Sequence, residues 1–489
     1  MKLRVKSINL SAGRPIAFLH EKDAEKIKAY PGSRVRIRTN GHSCLAIVDE
    51  TKDMFKPGFI VLSEEALQIL PKAKGRIVEV NFAEHPQSSM IIQKKIVSKK
   101  YSEQDLKTIV SDIVNNALTD AEISYFVSDV HRNNLSLEET VYLTKAIAAT
   151  GKMLKWPYRK VADKHSIGGI PGNRTTPIVV SICAAAGIIM PKTSSRAITS
   201  AAGTADVIES IARVDFSSDE LQKIVRKTGA CLAWGGALGL APADDKIIKV
   251  EKMINIDSEA QLVASILAKK LAMGSTHILI DIPFGVGAKV SKARAKKLAR
   301  KFRAMGKKLK LYIKTVLTEG NHPIGNGIGP ILEIRDVLAV LRQENHSKDL
   351  ENKSVFLAGT ILEMMGKAKT GMGQKKAREI LKSGEALKKF KEIITAQKGS
   401  FNNLPRAKYT KDIKAKQSGQ IITMENRDIN YICRLAGSPE DKTAGMYLVH
   451  HVGDSVKKGD VIFTIHSESR EKMTHALNAL EKITPIKIR

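Results

Sequence analysis

The chain has 489 residues, with 80 Lys+Arg against 50 Asp+Glu and a formal net charge of +30. That length allows about three domains of roughly 150 residues, and 43% hydrophobic with 27% charged residues excludes wholesale disorder. The charge brings anionic partners to mind, but an aromatic content of 5% is thin for reading single strands by base stacking.

Four cysteines (Cys44, Cys183, Cys231, Cys433) lie far apart with no C-x-x-C pair, which argues against a disulfide framework or a zinc ribbon. Lys6 and Arg14 fall where a signal peptide needs an unbroken apolar stretch. The longest apolar run, Pro177 to Pro191, is too short to span a bilayer. The expectation is a cytoplasmic protein with no membrane partner.

Residues 1 to about 84 read as strands. Arg34-Val35-Arg36-Ile37-Arg38 alternates with period two, and Leu45 to Val48, Phe59 to Leu62 and Arg76 to Val80 follow between breakers. A polar stretch around His85 to Ser89 closes this β-rich segment. From about 100 the period becomes helical. Ser102 to Asp105 resembles a capping box ahead of an apolar stripe, Thr119 to Glu122 starts a second helix and Ser136 to Glu139 a third. Between about 160 and 400, runs such as Ile278 to Ile282 alternate with long amphipathic segments, the βα signature of a helix-covered sheet. A further stretch, about 253 to 273, is strongly helical and rejoins the helical subdomain. The tail returns to short strands at Ile421-Ile422, Ile429 to Leu435, Met446 to Val449 and Val461 to Ile465.

The densest unusual segment runs from Lys164 to Thr176: Lys-His-Ser-Ile-Gly-Gly-Ile-Pro-Gly-Asn-Arg-Thr-Thr, leading into a helix candidate. Glycines let backbone N–H groups approach an anion, hydroxyls donate to its oxygens, and lysine supplies charge. No G-K-[ST] closes the loop, so it is not a Walker A motif. Chemistry alone leaves two readings, a phosphate loop or an ordinary Gly-rich turn. A second segment, Ser194 to Asp206, packs hydroxyls around small residues beside Arg196. Two such loops within forty residues favour a shared oxyanion site.

The pair also carries a resemblance. Lys164 to Gly169 resembles the K-H-S-x-G-G loop of the thymidine phosphorylase and pyrimidine-nucleoside phosphorylase family. Ser194 through Glu209, Leu240 to Asp244 and Ala264 to Lys270 match that family's patterns too. The N-terminal β segment, Pro171-Gly172 and Trp234 to Leu238 look most like its AMP phosphorylase branch.

The resemblance implies phosphorolysis of the N-glycosidic bond of an AMP-like nucleoside 5′-monophosphate or a nucleoside. The products are free base and either (deoxy)ribose 1-phosphate or ribose 1,5-bisphosphate. Carried over position by position, Lys164, Ser166, Thr176, Ser194 and Thr204 hold phosphate. His165, Ser265 and Lys269 fall on base-binding positions. In the AMP phosphorylase pattern Gly169, the stretch Ser195, Arg196, Ala197, Ile198, Thr199 and Ser200, then Thr204, Ser265 and Lys289 contact the nucleotide. Asp257 is the proton donor to the leaving base. Inorganic phosphate is a co-substrate, with no cofactor and no metal. A homodimer or higher homo-oligomer is expected from the family's habit.

The implied fold class is α/β: a helical subdomain plus a large α/β domain with a central mixed sheet, an N-terminal small β domain and a C-terminal α+β domain. The expected boundaries are 1–84, then 85–160 joined by about 240–273, then 161–405, then 406–489.

Single residues keep bland alternatives. Asp257 could be only an N-cap, His165 a structural hydrogen-bonder, Ser265 a back-bonding helical serine and Lys289 a solvated cation. One departure matters for the substrate. Thymidine phosphorylases have a pyrimidine-gripping arginine shortly before the position of Asp257, whereas Asp245 to Asp257 holds Lys246, Lys249 and Lys252 but no arginine. Lysine lacks the planar fork, which tilts the reading from thymidine towards a nucleotide.

The competing class is a non-catalytic nucleic-acid binding protein. Its support is the run from Lys289 to Lys314, with twelve Lys/Arg and no acid. A solvated helix face is the usual reason for such a run, so a nucleic-acid partner is not expected. Gly285-Val286-Gly287 lacks the third glycine of a dinucleotide fingerprint. His450-His451, read as neighbours on a strand, point to opposite faces and do not make a metal pair.

Overall fold

The computed structural model describes residues 1–6, 8–95, 100–197, 200–256 and 258–489. The chain forms two compact units, residues 1–150 with 241–265, and residues 151–240 with 266–489.

In the first unit, β1 (Lys2–Lys6), β2 (Ile16–His20), β3 (Arg34–Thr39), β4 (His42–Thr51), β5 (Phe59–Leu62) and β6 (Ile77–Ala83) close into a barrel. The strand order is β1-β5-β2-β4-β3-β6, and closure leaves no unpaired edge. Alternation decides what lies inside: Val35 and Ile37 are buried while Arg36 and Arg38 face out. Short helices α1 (Glu21–Lys26) and α2 (Glu64–Ile69) contribute Ala24 and Ala66 to the same core.

The polar stretch after the barrel leads into a helix, α3 (Gln87–Lys95). Its serines are not solvated, since Ser88 and Ser89 are buried and Ser89 Oγ donates to Glu122 Oε1 at 2.6 Å. Helices α4 (Glu103–Val114), α5 (Asp120–Asn133) and α6 (Leu137–Ala149) follow at the three expected starts, each opened by a capping box, of which the one at Ser102 was anticipated. Arg34 on β3 donates to the Ala117 carbonyl at 2.8 Å and pairs with Glu122, tying barrel to helices.

The second unit holds β7 (Ala162–Ser166), α7 (Thr175–Ala185), β8 (Met190–Ser194), α8 (Thr204–Glu209), α9 (Ser218–Thr228) and β9 (Ala230–Trp234). The chain returns to the first unit for α10 (Pro242–Ile254) and enters α11 (Glu259–Ala272), whose residues belong to both units. The stretch of about 253–273, expected to be helical, holds the end of α10 and the whole of α11, and α10 ends where Asn255 takes a left-handed conformation (φ 52°).

Then come β10 (His277–Phe284), α12 (Lys292–Leu309), β11 (Tyr312–Glu319), β12 (Gly327–Ile328), α13 (Pro330–Arg342), α14 (Lys348–Met364), α15 (Gly373–Lys382) and α16 (Glu385–Ala396). The ladders β11-β10-β7 and β8-β9 are parallel. Among the described residues these are two separate sheets, each parallel, where one mixed central sheet was expected. Helices intervene between these strands along the chain, and such crossovers return it in the same direction. Apolar residues of α7, α13, α14 and α16 form the main core against them.

The tail comprises β13 (Tyr409–Lys414), β14 (Gly419–Met424), α17 (Asn426–Leu435), β15 (Gly445–Leu448), β16 (Ser455–Val456), β17 (Val461–Ser467), α18 (Arg470–Lys482) and β18 (Ile486–Ile488). Its ladders are antiparallel. The segment 429–435, expected as a strand, is helical, with Ile429, Asn430, Ile432 and Cys433 buried at helical spacing. His450 and His451 lie beyond the end of β15, not on a strand.

The basic run forms α12, with Ala295, Leu298, Ala299 and Phe302 buried and the cations outside. Lys296, Arg300 and Arg303 line a shallow cavity of about 270 Å³ with Ala299 and Leu317, and no residue of the two loops lines it. Among the described residues no helix is long and apolar enough to cross a membrane.

Candidate active site

The hydroxyl-rich loops leave the C-terminal ends of β7 and β8, the end of a parallel strand where ligands of open α/β sheets bind. Lys164, His165 and Ser166 are the last three residues of β7. Lys164 is 1% exposed, and its Nζ donates to Thr175 Oγ1 at 2.9 Å and Thr176 Oγ1 at 3.3 Å. Those threonines open α7, so an anion there also meets a helix N-terminus. A hydroxyl that accepts from an ammonium keeps its own proton free to donate elsewhere. Ser166 Oγ is buried with no hydrogen-bond partner among the described residues, as is Asn173 Oδ1. A buried unpaired hydroxyl is costly without a ligand.

Two glycines of the first loop are required by space. A Cβ on Gly172 would come within 2.4 Å of the Ile324 carbonyl oxygen. One on Gly169 (φ +98°) would meet the Lys289 backbone nitrogen at 3.0 Å, which places the Lys289 backbone against this loop while its side chain is exposed.

The second loop leaves Ser194 at the end of β8 and enters α8 at Thr204. Asp206 organises it, accepting from Ala197 N at 2.7 Å and Gly203 N at 2.8 Å. A Cβ on Gly203 would lie 2.6 Å from the Ser195 carbonyl oxygen, so the turn admits glycine alone. Arg196 pairs with Glu209 Oε1 at 2.5 Å and covers the Trp234 ring at 4.5 Å. Ser200 Oγ donates to the Ala202 carbonyl at 3.1 Å. The tail braces the loop from behind: Asn430 Oδ1 accepts from Ala201 N at 2.8 Å, and Ser438 Oγ donates to Ala201 O at 2.7 Å.

Beneath the loops lies a buried charge cluster that sequence reasoning missed. Asp163 Oδ2 is 2.7 Å from Lys270 Nζ, and Asp163 Oδ1 is 3.6 Å from Lys192 Nζ. Asp281 Oδ2 is 3.6 Å from Lys353 Nζ. With Lys164, four lysines of little exposure face two buried carboxylates, a positive excess suited to an anion. Burial pushes Lys164 down to about 8 and Lys192 down to about 7. Burial first, then the charges of Lys270, Lys192, Lys164 and Lys269, holds His165 well below the usual imidazole value, so it is neutral at pH 7.

Arg174 was also missed, although it sits inside the first loop. It donates from Nη1 to Thr204 Oγ1 at 2.6 Å and from Nη2 to the Ala202 carbonyl at 2.9 Å, and from Nε to Glu333 Oε2 at 2.6 Å. Lysines before a hydroxyl strand end (Lys192) or beside a nominated lysine (Lys270) were the available signals.

The remaining nominees are placed less directly. Lys269 is half-buried on α11. Ser265, in the first unit, donates to Asp244 Oδ2 at 2.7 Å instead of back-bonding. Ile198, Thr199 and Asp257 lie outside the described residues. Gly285 is a steric glycine in a turn held by Asn321, whose Oδ1 accepts from Val286 N at 2.9 Å. Among the described residues no group of three or more His, Cys, Asp or Glu could hold a metal ion.

The α/β core that carries the two hydroxyl-rich loops has counterparts. Residues 158–387 match the glycosyl transferase family a/b domain, and residues 89–151 match that family's helical bundle domain. Anthranilate phosphoribosyltransferase from Thermus thermophilus shares the fold, with TM-score 0.52 at 16% identity over 63% of this chain and 99% of that one. The yeast enzyme of the same name, from Saccharomyces cerevisiae, gives TM-score 0.53 at 15% identity over 64% and 98%. The class is therefore a glycosyltransferase.

The tail narrows it, since residues 421–487 match the pyrimidine nucleoside phosphorylase C-terminal domain. The AMP phosphorylase of Pyrococcus horikoshii is 46% identical over 100% of this chain and 98% of its own length. That of Thermococcus sibiricus is 44% identical with the same coverage, and that of Methanococcus aeolicus 41% identical over 99% and 97%. The chain belongs to the pyrimidine nucleoside phosphorylase family, in its AMP phosphorylase branch, and is an enzyme of the pentosyl-transferring kind.

Proposed function

We propose that the enzyme catalyses phosphorolysis of a nucleoside 5′-monophosphate, AMP-like, releasing free base and ribose 1,5-bisphosphate. One observation carries the phosphate half. Thr175, Thr176 and Thr204 accept from Lys164 or Arg174, and Ser166 Oγ is buried without a partner, so four hydroxyl protons are available to an anion. Lys164, Ser166, Thr176, Ser194 and Thr204 hold phosphate, which attacks C1′ as the glycosidic bond breaks. The transition state resembles an oxocarbenium ion, and a phosphate fixed next to C1′ both attacks and stabilises it.

The remaining roles follow the family pattern. Gly169, Ser195 to Ser200, Thr204, Ser265 and Lys289 contact the nucleotide, with His165, Ser265 and Lys269 at the base. A neutral His165 can accept or donate one hydrogen bond to a base without adding charge. Asp257 donates the proton that makes the base a leaving group. No residue in this set calls for a metal or organic cofactor, and a homodimer or larger homo-oligomer working in the cytoplasm completes the reading.

The lysines that replace the pyrimidine-gripping arginine argue for the nucleotide over thymidine. Lys246 Nζ donates to the carbonyls of Ile113 and Val114 at 2.9 and 2.8 Å and also to Asn116, while Lys249 pairs with Asp120 at 3.6 Å. Both are committed to neighbouring helices. The test is incubation with phosphate and AMP, CMP, UMP, uridine or thymidine separately, scoring free base. Phosphate-dependent release from a monophosphate is expected, and turnover of thymidine but not AMP overturns the reading.

A further inference from the structure

The two loops are separate in sequence, and each is held by its own strand end and helix start. Among the described residues, hydrogen bonds from one side chain join them. Arg174 leaves the first loop, donates to the Thr204 hydroxyl at 2.6 Å and to the Ala202 carbonyl at 2.9 Å, and so grips the second loop on both sides of Gly203.

We propose that Arg174 is a positioning residue that sets the spacing of the two phosphate loops and turns the Thr204 hydroxyl proton towards the bound anion. The inference rests on the phosphorolysis reading above.

The chemistry follows from the donor inventory. A threonine hydroxyl has one proton and two lone pairs. With the guanidinium on a lone pair, the proton cannot point at Arg174 and is left for an acceptor on another side. Lys164 does the same for Thr175 and Thr176, so the first loop and the second are made donors by the same device.

Glu333 shows that Arg174 is built for direction rather than for added charge. Its Oε2 takes the Arg174 Nε–H at 2.6 Å, and its Oε1 takes Gly329 N at 3.1 Å. Glu333 is 1% exposed and Arg174 9%, so the pair is buried and the arginine's charge is met by a carboxylate. What the guanidinium offers beyond that pair is a rigid planar fork with donors left over for two further acceptors. A lysine at this position keeps the ion pair but not the fork.

The test separates positioning from mere stability. Arg174→Lys retains a cation opposite Glu333, and Arg174→Met with Glu333→Gln removes both charges so that neither is left buried alone. Melting temperature, phosphate KM and nucleotide KM are measured for each, with the wild-type enzyme alongside. A misplacement near 1 Å can cost about 100-fold, so phosphate KM is expected to rise about 10- to 100-fold in both variants, by far more than nucleotide KM.

Arg174→Lys is expected to keep a near-wild-type melting temperature while failing to restore phosphate KM. A purely structural role predicts that KM recovers with stability, and a wild-type phosphate KM in folded Arg174→Lys overturns the proposal. If the double variant does not fold, the lysine variant still decides. Wild-type enzyme that releases no base from any monophosphate or nucleoside in the presence of phosphate instead refutes the underlying reading, and inorganic phosphate no longer raising the melting temperature of Arg174→Lys would support the loop assignment independently of turnover.

Discussion

Lys270 Nζ lies 2.7 Å from Asp163 Oδ2, with 3% and 0% of the two side chains exposed. The contact joins α11 to β7 one residue before the lysine that meets the loop hydroxyls. Asp163 also accepts from the Lys164 backbone nitrogen at 2.7 Å and from Ser275 Oγ at 3.3 Å. One carboxylate thus anchors the strand end and offsets Lys192 and Lys270 together.

Asp163→Asn leaves two buried lysines without their anion. Breaking a buried ion pair from one side costs about 3–5 kcal/mol, and urea unfolding of the variant is expected to register a loss of that size. A loss below about 1 kcal/mol would show that Lys192 and Lys270 find other compensation.

Anion affinity should fall as pH rises. Lys164 and Lys192 titrate near 8 and 7 in the free protein because burial disfavours their charged forms. A bound anion favours those charged forms, so binding takes up protons above these values and weakens with increasing pH. Sulfate keeps its charge over this range and is the suitable probe. Its dissociation constant, read by calorimetry, is expected to rise between about pH 7 and pH 9, and a flat profile contradicts the prediction.

Ser166→Ala should separate activity from stability. Loss of a hydroxyl that stabilises developing charge costs about 10²–10³ in rate, while deletion of an unpartnered buried polar atom leaves the ligand-free protein as stable or more so. Phosphorolysis kinetics beside a thermal melt check both halves. Full activity in the variant would remove Ser166 from the site.

Lys246→Met tests whether that lysine serves helix α4 or the substrate. It closes the C-terminal carbonyls of α4, and hydrogen bonds from a charged group are worth about 1.5–3 kcal/mol. Stability is expected to fall by about that amount, with the ranking of nucleotides and nucleosides unchanged. A changed base preference would return Lys246 to the substrate.

Much of the site was legible because its signals are local. The glycines, hydroxyls and lysine of 164–176 and the serines and threonines of 194–206 sit within single loops, and their chemistry does not depend on distant partners. The helix starts at Ser102, Thr119 and Ser136 were legible for the same reason, since each is set by a capping box that closes over three residues. Errors came where a short apolar run fits two periods. Ile429 to Leu435 reads as a strand until its buried residues are seen at helical spacing. Ser88 and Ser89 read only as part of a polar stretch because nothing local says that a serine will be buried against Glu122.

The sequence by itself determined the candidate groups: which loops carry hydroxyls beside cations, which of their positions are glycine, and which family the two loops resemble. Tertiary structure decided the pairings. Arg174 meets Thr204 across 30 residues and Glu333 across 159, and Asp163 meets Ser275 across 112. It also decided that the six N-terminal strands close into a barrel and that the central ladders are parallel. The physical reason is common to these cases. A residue's donor, acceptor or charge is written in its type, but whether that group is satisfied or left for a ligand depends on partners that only folding brings within 3 Å or so.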